Sequence, residues 1–528
     1  MIKCEICVDI GYTVDDIKSK VSECFPIEKS ELSEVGILKR ELVLKDISNP
    51  YYKLSLGLSL SPEREEGLLK MRKKFSAVPD YTLTLPNAKL PIAPVVIGSG
   101  PAGLFAALIL AEAGARPIIL ERGEPVEARG VKVERFSKFG ILDPESNVQF
   151  GEGGAGTYSD GKLKVGGMDK YKMKVLSEFI LAGATEDIAY STTAHLGTDK
   201  LSGIVSTIRN KIISLGGEFI FSARFSDLAL KDGMISEITY VKGGEEVRVS
   251  VSDVILAIGH SARDTLRMLY KKGIPMVGRG FGIGVRIEHP REYINELVYG
   301  KNYDSRLETA SYHLVTHLDS GRSVYSFCMC PGGTVVPAAS EAGGIVTNGM
   351  SNFMRDGRNS NAAFLVSVTP SDFSSDSPLA GIELQERIER AAFSLTGESY
   401  RAPATRLEDM VKGGKPTSYG SVESTYPIGT ELFSTEEYLP GYVSESLRAS
   451  VSDFDDWMKG FYYPDALVVG PETRTTSPVR LLRDEHFTSC AAVGLFPAGE
   501  GAGYSGGIVS SAVDGIKCAI ALLEKYAK

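Results

Sequence analysis

The stretch from Val95 to Gly103 constrains this chain more than any other. Val95-Val96-Ile97 is a short, wholly apolar run of the kind buried in a parallel sheet. It leads directly into Gly98-Ser99-Gly100-Pro101-Ala102-Gly103 and then a small-residue helix over 104–113. A second apolar run over 117–120 ends at Glu121. In such a unit Gly98 permits the tight strand-to-helix turn, Gly100 lets the backbone approach a pyrophosphate, and Gly103 lets the helix lie close on the strand. The helix start offers unpaired N–H groups and the positive end of its dipole to the phosphates. Glu121, at a strand end, is placed to accept hydrogen bonds from the hydroxyls of an adenosine ribose. Strand, glycine turn, helix, strand and acid together specify dinucleotide binding.

The rest of the chain bounds what can surround that unit. With 528 residues it exceeds one ordinary hydrophobic core, so two or three domains are expected. A net charge of -9, with no long run of Lys or Arg, argues against nucleic acid as the main partner. No stretch approaches the ~18–20 apolar residues of a membrane span. The opening residues, Met1 to Cys7, carry no hydrophobic secretion core. Seven cysteines in a chain of this size form no disulfide framework and fit a reducing cytoplasm. Cys4 and Cys7 have the spacing of a metal half-site, but no second pair or histidine lies nearby, so no metal is expected.

Residues 1–90 read as a small α+β module of βαββ type, with strands over 4–10, 37–44 and 52–60 and a helix over 14–24. Pro79, Pro86, Pro91 and Pro94 punctuate the linker that follows. Residues 91–265 read as the first part of a Rossmann-like domain, with a helix over 201–215, a strand over 219–223, a hairpin around Asp232-Gly233 and a strand over 249–257. Residues 266–465 read as an inserted α+β substrate or cap domain with one clear helix, over 382–395. Residues 466–528 return to the cofactor domain through an apolar run over 467–470 and a terminal helix over 507–526. The fold class is therefore α/β, with a discontinuous dinucleotide domain, an insertion and the N-terminal module.

Three features select FAD over NAD. Arg122, Arg129 and Arg135 supply cations within reach of a pyrophosphate. The strand ending at Ala257-Ile258-Gly259 is a crossing back to the cofactor. Pro497-Ala498-Gly499-Glu500-Gly501-Ala502-Gly503-Tyr504-Ser505-Gly506-Gly507, just before the helix that opens at Ile508, aims helix N–H groups at a polarised edge such as N1–C2=O of an isoalloxazine. Between these ends lies a segment over 149–162 in which Gly153, Gly154, Ser159, Asp160 and Lys162 offer a backbone nest close to a ligand. Arg224 and Phe225, just past the strand over 219–223, complete the candidate cofactor set.

Several blocks in order then resemble the FAD-dependent dehydrogenases often labelled NAD(FAD)-utilising dehydrogenases: residues 150–162, 284–290, 327–333, 346–355, 472–480 and 497–507. The resemblance covers about residues 93–528. It implies a two-dinucleotide-binding-domain flavoprotein with FAD, and it implies no particular substrate.

A flavin performs the electron chemistry while the protein positions the substrate. Candidates to carry that chemistry are Tyr504, expected to line the ring face, His289 as general base, and Arg286 and Arg474 as holders of a carboxylate or of the polarised flavin edge. Arg480, Glu288, Cys328 and Cys330 stand beside them. No second GxGxxG and no CxxxxC pair is found, so a nicotinamide donor, NAD(P)H, is expected to bind only transiently. Two other readings stay open: a flavin-binding regulatory or scaffold protein, and a tRNA-modifying flavoprotein.

Overall fold

The computed structural model describes residues 1–71, 74–163 and 167–527. The apolar triplet Val95–Ile97 becomes the central strand of a five-stranded parallel sheet, in the order Leu495–Pro497, Val254–Leu256, Val95–Ile97, Ile118–Leu120, Glu218–Ile220. Helices Pro101–Glu112 and Ile508–Glu524 pack together on one face, over a core that includes Val96, Ile119, Ile255 and Phe496. Every residue from Ala102 to Ala111 is buried, which explains why this helix is apolar all round. An antiparallel sheet of Ala223–Lys231, Met234–Lys242 and Glu245–Ser250 covers the other face. Its hairpin turns at Asp232 and Gly233, both at positive φ.

The single strand expected over 249–257 is two strands in two sheets. Val251-Ser252-Asp253 separates Glu245–Ser250 from Val254–Leu256. Buried Asp253 accepts from Lys525 Nζ and Tyr526 Oη at 2.7 Å each, tying the break to the C-terminal helix.

A second sheet has seven strands, in the order Val315–His317, Ser323–Cys330, Asn359–Val368, Phe281–Pro290, Leu467–Glu472, Ala402–Arg406, Thr430–Leu432. All neighbours run antiparallel except the last pair. Leu467–Glu472, expected to begin the return to the cofactor unit, pairs with Phe281–Pro290 instead; the return comes with Leu495–Pro497. Helices Ala380–Leu395 and Gly441–Trp457 flank this sheet. The latter is absent from the sequence-based expectation although Val443, Leu447, Val451 and Phe454 form a helical stripe; the serines between them dilute the pattern.

The N-terminal module is a four-stranded sheet in the order Glu34–Val43, Tyr51–Ser59, Ile2–Asp9, Ser76–Ala77, with helix Val14–Cys24 started by a Thr13–Asp16 capping box. Ile2, Cys4, Ile6 and Val8 alternate inward, so Cys4 is core and Cys7 faces out. The module joins the body through Arg40, whose N–H donates to the Tyr190 carbonyl at 2.7 Å. Among the described residues, no helix is long and apolar enough to cross a membrane, and no group of three or more His, Cys, Asp or Glu side chains is placed to hold a metal.

Candidate active site

The three fingerprint glycines do different work. Gly98 has φ +93°, and a Cβ there would lie 2.3 Å from the Ala257 carbonyl oxygen. A Cβ on Gly103 would lie 1.8 Å from the Gly98 oxygen. Both are demanded by packing. A Cβ on Gly100 would meet nothing nearer than Gly154 Cα at 3.7 Å, so its bareness faces the cavity. Gly154, at φ +63°, brings the second glycine segment against it. That segment is pinned by the Gly153 N–H, which donates to the Ser99 carbonyl at 2.9 Å.

Beneath both turns lies a scaffold of charged side chains. Glu121 is buried and accepts four bonds, from Ser99 N and Oγ at 2.8 and 2.7 Å and from Gly123 N and Gly151 N at 2.9 and 3.0 Å. It lines the cavity, but its carboxylate braces the two glycine turns, a role the expected ribose contact does not describe. Arg129 is fully buried and donates to the carbonyls of Asn147, Val148, Gly151 and Glu152. Burial with no carboxylate partner lowers its pKa. It does not line the cavity, so the pyrophosphate contact expected of it is replaced by bracing of the loop from below. Ser99, Gly103 and Gly153 likewise sit behind the lining, as backbone supports.

Helices Pro101–Glu112 and Ile508–Glu524 both begin at a glycine with no side-chain cap, and the starts of both line one cavity of about 370 Å³. Gly506, Gly507, Ile508, Ala257, Gly259 and Glu500 share this lining. Gly499 stands just behind, its N–H donating to Asp514 at 2.7 Å, and Ser505 hydrogen-bonds Ser511 at 2.8 Å. Phe225 and Arg122 also line the cavity, with Arg122 held by Asp264 at 2.6 and 2.7 Å. Arg224 lies outside, in a neighbouring cleft with Arg122 and Glu145.

The opposite wall belongs to the second sheet and its loops. Tyr312, His313, Cys328, Asn348, Glu472 and Thr475 open onto the same cavity. Arg286 lies directly behind this wall, fully buried, donating to Glu472 at 2.7 Å, Asn348 at 2.8 Å and the Cys328 carbonyl at 2.8 Å. Burial works against its charge, but the Glu472 carboxylate outweighs it and raises its pKa. Burial pushes the Cys330 thiol up to about 12. Arg474 does line the cavity, yet its guanidinium is held by Glu389 at 2.9 and 3.1 Å and by Ser340 at 2.5 Å. Burial opposes ionisation of Glu389, but Arg263 and Arg474 together hold its carboxyl well below the usual range.

Two catalytic expectations are corrected by position. His289 is fully buried among Tyr293, Phe461 and Tyr463, with Nε2 3.0 Å from the Phe461 carbonyl, and burial lowers its pKa to about 4. It packs the core of the second sheet and does not line this cavity. Tyr504 donates its hydroxyl to the Leu481 carbonyl at 2.9 Å, under Arg483, whose Cζ stands 3.6 Å from the ring centre; it too is off the lining. Tyr312 and His313 were missed because they come from an irregular loop with no motif.

Sequence comparison agrees with this geometry. Residues 94–131 match the model of the FAD binding domain, and residues 280–475 match the FAD-dependent protein, C-terminal domain-like family. The chain is 43% identical over 529 residues to an uncharacterized protein of Clostridium beijerinckii, with 98% of each chain covered. The chain belongs to this family of FAD-dependent proteins. Similar solved structures include a variant of the E. coli quinol fumarate reductase FrdA (13% identity, 83% of this chain and 70% of that one, TM-score 0.36). Another is the glycerol-3-phosphate dehydrogenase from Bacillus halodurans complexed with FAD (9%, 84% and 65%, TM-score 0.37). At these scores they are loose likenesses and assign nothing further.

The chain is accordingly an FAD-dependent protein that carries an FAD-binding domain. The residues present fit the cofactor: two uncapped helix starts and two abutting glycine turns border one elongated cavity, as a dinucleotide with anionic centre and polar ring edge requires.

Proposed function

We propose that this protein is a FAD-dependent dehydrogenase or reductase whose small-molecule substrate is oxidised or reduced in the half of the cavity under the second sheet. The observation that carries this reading is the continuity of the cavity. Backbone of the glycine turns and side chains of the second sheet line the same cavity. FAD, when bound, supplies the two-electron exchange. The N–H groups of Gly100 and Ala102 would hold its pyrophosphate, and those at the start of helix Ile508–Glu524 its polarised ring edge. Arg286 fixes the Glu472 and Asn348 side chains, so the polar groups facing the substrate are held before it arrives.

NADH or NADPH is proposed as a transient electron donor in the same cavity, in line with the single fingerprint in the sequence. The test is anaerobic. FAD-loaded protein is mixed with NADH, NADPH or a panel of small metabolites, and the flavin band near ~450 nm is followed. Bleaching by any of them supports the reading and names the reductant. A bound flavin that exchanges electrons with none of them, and that no acceptor reoxidises after photoreduction, contradicts it and favours a regulatory flavin binder.

A further inference from the structure

Most charged groups lining the cavity are closed on opposite charges or, like Glu121, on several hydrogen bonds, and Lys162 is not. Arg122 is held by Asp264, Arg474 by Glu389, and Glu472 by Arg286. Asp160 turns both oxygens to Arg355, at 3.0 and 2.5 Å. The Lys162 ammonium donates to one neutral acceptor, the Met329 carbonyl. No carboxylate among the described residues pairs with it. An ammonium carries three donors, so two are left without a partner among the described residues, on a side chain that lines the cavity. Burial lowers its pKa, and Asp160, Cys330 and Cys328, opposed by Arg355, only partly restore the charged form.

The position of this cation is as telling as its lack of a partner. Gly156 packs against Ile508, at the start of the last helix, where a Cβ would lie 3.2 Å from Ile508 Cγ1. By Lys162 the chain has crossed to Met329, between Cys328 and Cys330 on the second sheet. The ammonium thus stands on the substrate wall, and the nearby polar groups of Asn348 and Tyr312 are uncharged. A partly buried cation whose neighbouring carboxylate, Asp160, is already paired with Arg355 is costly, and an anionic ligand lowers that cost.

Building on the functional reading above, we propose that Lys162 anchors the substrate by an anionic group, so that the molecule oxidised or reduced here is an organic acid bearing a carboxylate. The anchor binds and orients; the electrons pass between the substrate and FAD.

The test uses FAD-loaded protein titrated with benzoate or succinate, and with benzamide or succinamide as uncharged controls, following the flavin band near ~450 nm. A carboxylate should perturb the band saturably while its amide does not. Lys162→Met should keep the wild-type FAD stoichiometry and weaken carboxylate binding about tenfold or more, and Lys162→Arg should restore much of it. The acid–amide contrast on the wild type needs no variant to fold. Equal response to acid and amide, no response to either acid, or unchanged carboxylate affinity in Lys162→Met would overturn the proposal. So would loss of FAD from Lys162→Met, which would make the lysine a cofactor ligand. A wild-type protein that takes up no FAD sinks the functional reading itself, whereas a failed contrast on a yellow, reducible protein sinks only the anchor.

Discussion

The two walls of the cavity are built from different materials. On the nucleotide side the chain presents backbone: Gly100 and Gly154 meet face to face, and two helices begin without side-chain caps. The charged side chains there, Glu121 and Arg129, turn inward to hold the backbone in place. On the substrate side the chain presents side chains: Cys328 and Glu472 stand on the second sheet with Arg286 behind them, Asn348 on strand Thr347–Met350 and Lys162 at the end of the second glycine segment. A cofactor common to many enzymes can be held by groups that every residue possesses. A particular substrate has to be recognised by side chains. The difference teaches where mutations should separate folding from binding.

The largest effect should come from the substrate wall. Arg286→Met leaves the buried Glu472 unpaired and should cost about 3–5 kcal/mol of stability, read by denaturant unfolding. FAD affinity of the fraction that folds should be unchanged. A selective loss of FAD instead would erase the distinction between the walls. On the nucleotide side, Gly103→Ala forces a methyl against the Gly98 oxygen and should cost about 3 kcal/mol, with FAD content falling because the fold fails.

His289 sharpens the contrast between sheet core and cavity wall. Its folded pKa, about 4, lies below the ordinary 6.5, so the folded protein binds fewer protons than the unfolded chain. The stability this group contributes is present above pH 6.5 and is lost as pH falls towards about 4, in total on the order of 3 kcal/mol. In His289→Phe that part of the pH dependence of the unfolding midpoint should vanish. A change in the pH profile of the redox reaction, with stability untouched, would return the histidine to the active site. The smallest effect, and the most selective, is expected for Gly100→Ala. Its methyl meets nothing within 3.4 Å, so stability should hold to within about 0.5 kcal/mol. FAD should nevertheless bind about tenfold more weakly or worse, because the added carbon stands where the pyrophosphate approaches.

The same division explains what the sequence could reveal. Gly98 and Gly103 are legible because packing forbids other residues at fixed spacing, Gly100 because a ligand is expected to approach its backbone, and Val95–Ile97 because a strand buried on both faces is uniformly apolar. Glu121 was found for its place at the strand end, while its four bonds to the glycine turns are a tertiary fact with no local signature. The substrate wall is assembled from segments around 162, 312, 328, 348 and 472, far apart in the chain, so no spacing rule connects them. His289 and Tyr504 misled for a related reason. A polar residue beside a motif looks reactive, but the alternation of Phe281–Pro290 and the packing of Arg483 turn these two away from the cavity.

The most direct measurement is a titration of the apoprotein with FAD, followed by the flavin absorbance near ~450 nm, in wild type and Gly100→Ala side by side. Saturation at one FAD per wild-type chain, with much weaker binding to an equally stable Gly100→Ala, is the predicted result. No uptake by the wild type, or equal affinity in the two, would contradict the assignment of this cavity to the cofactor.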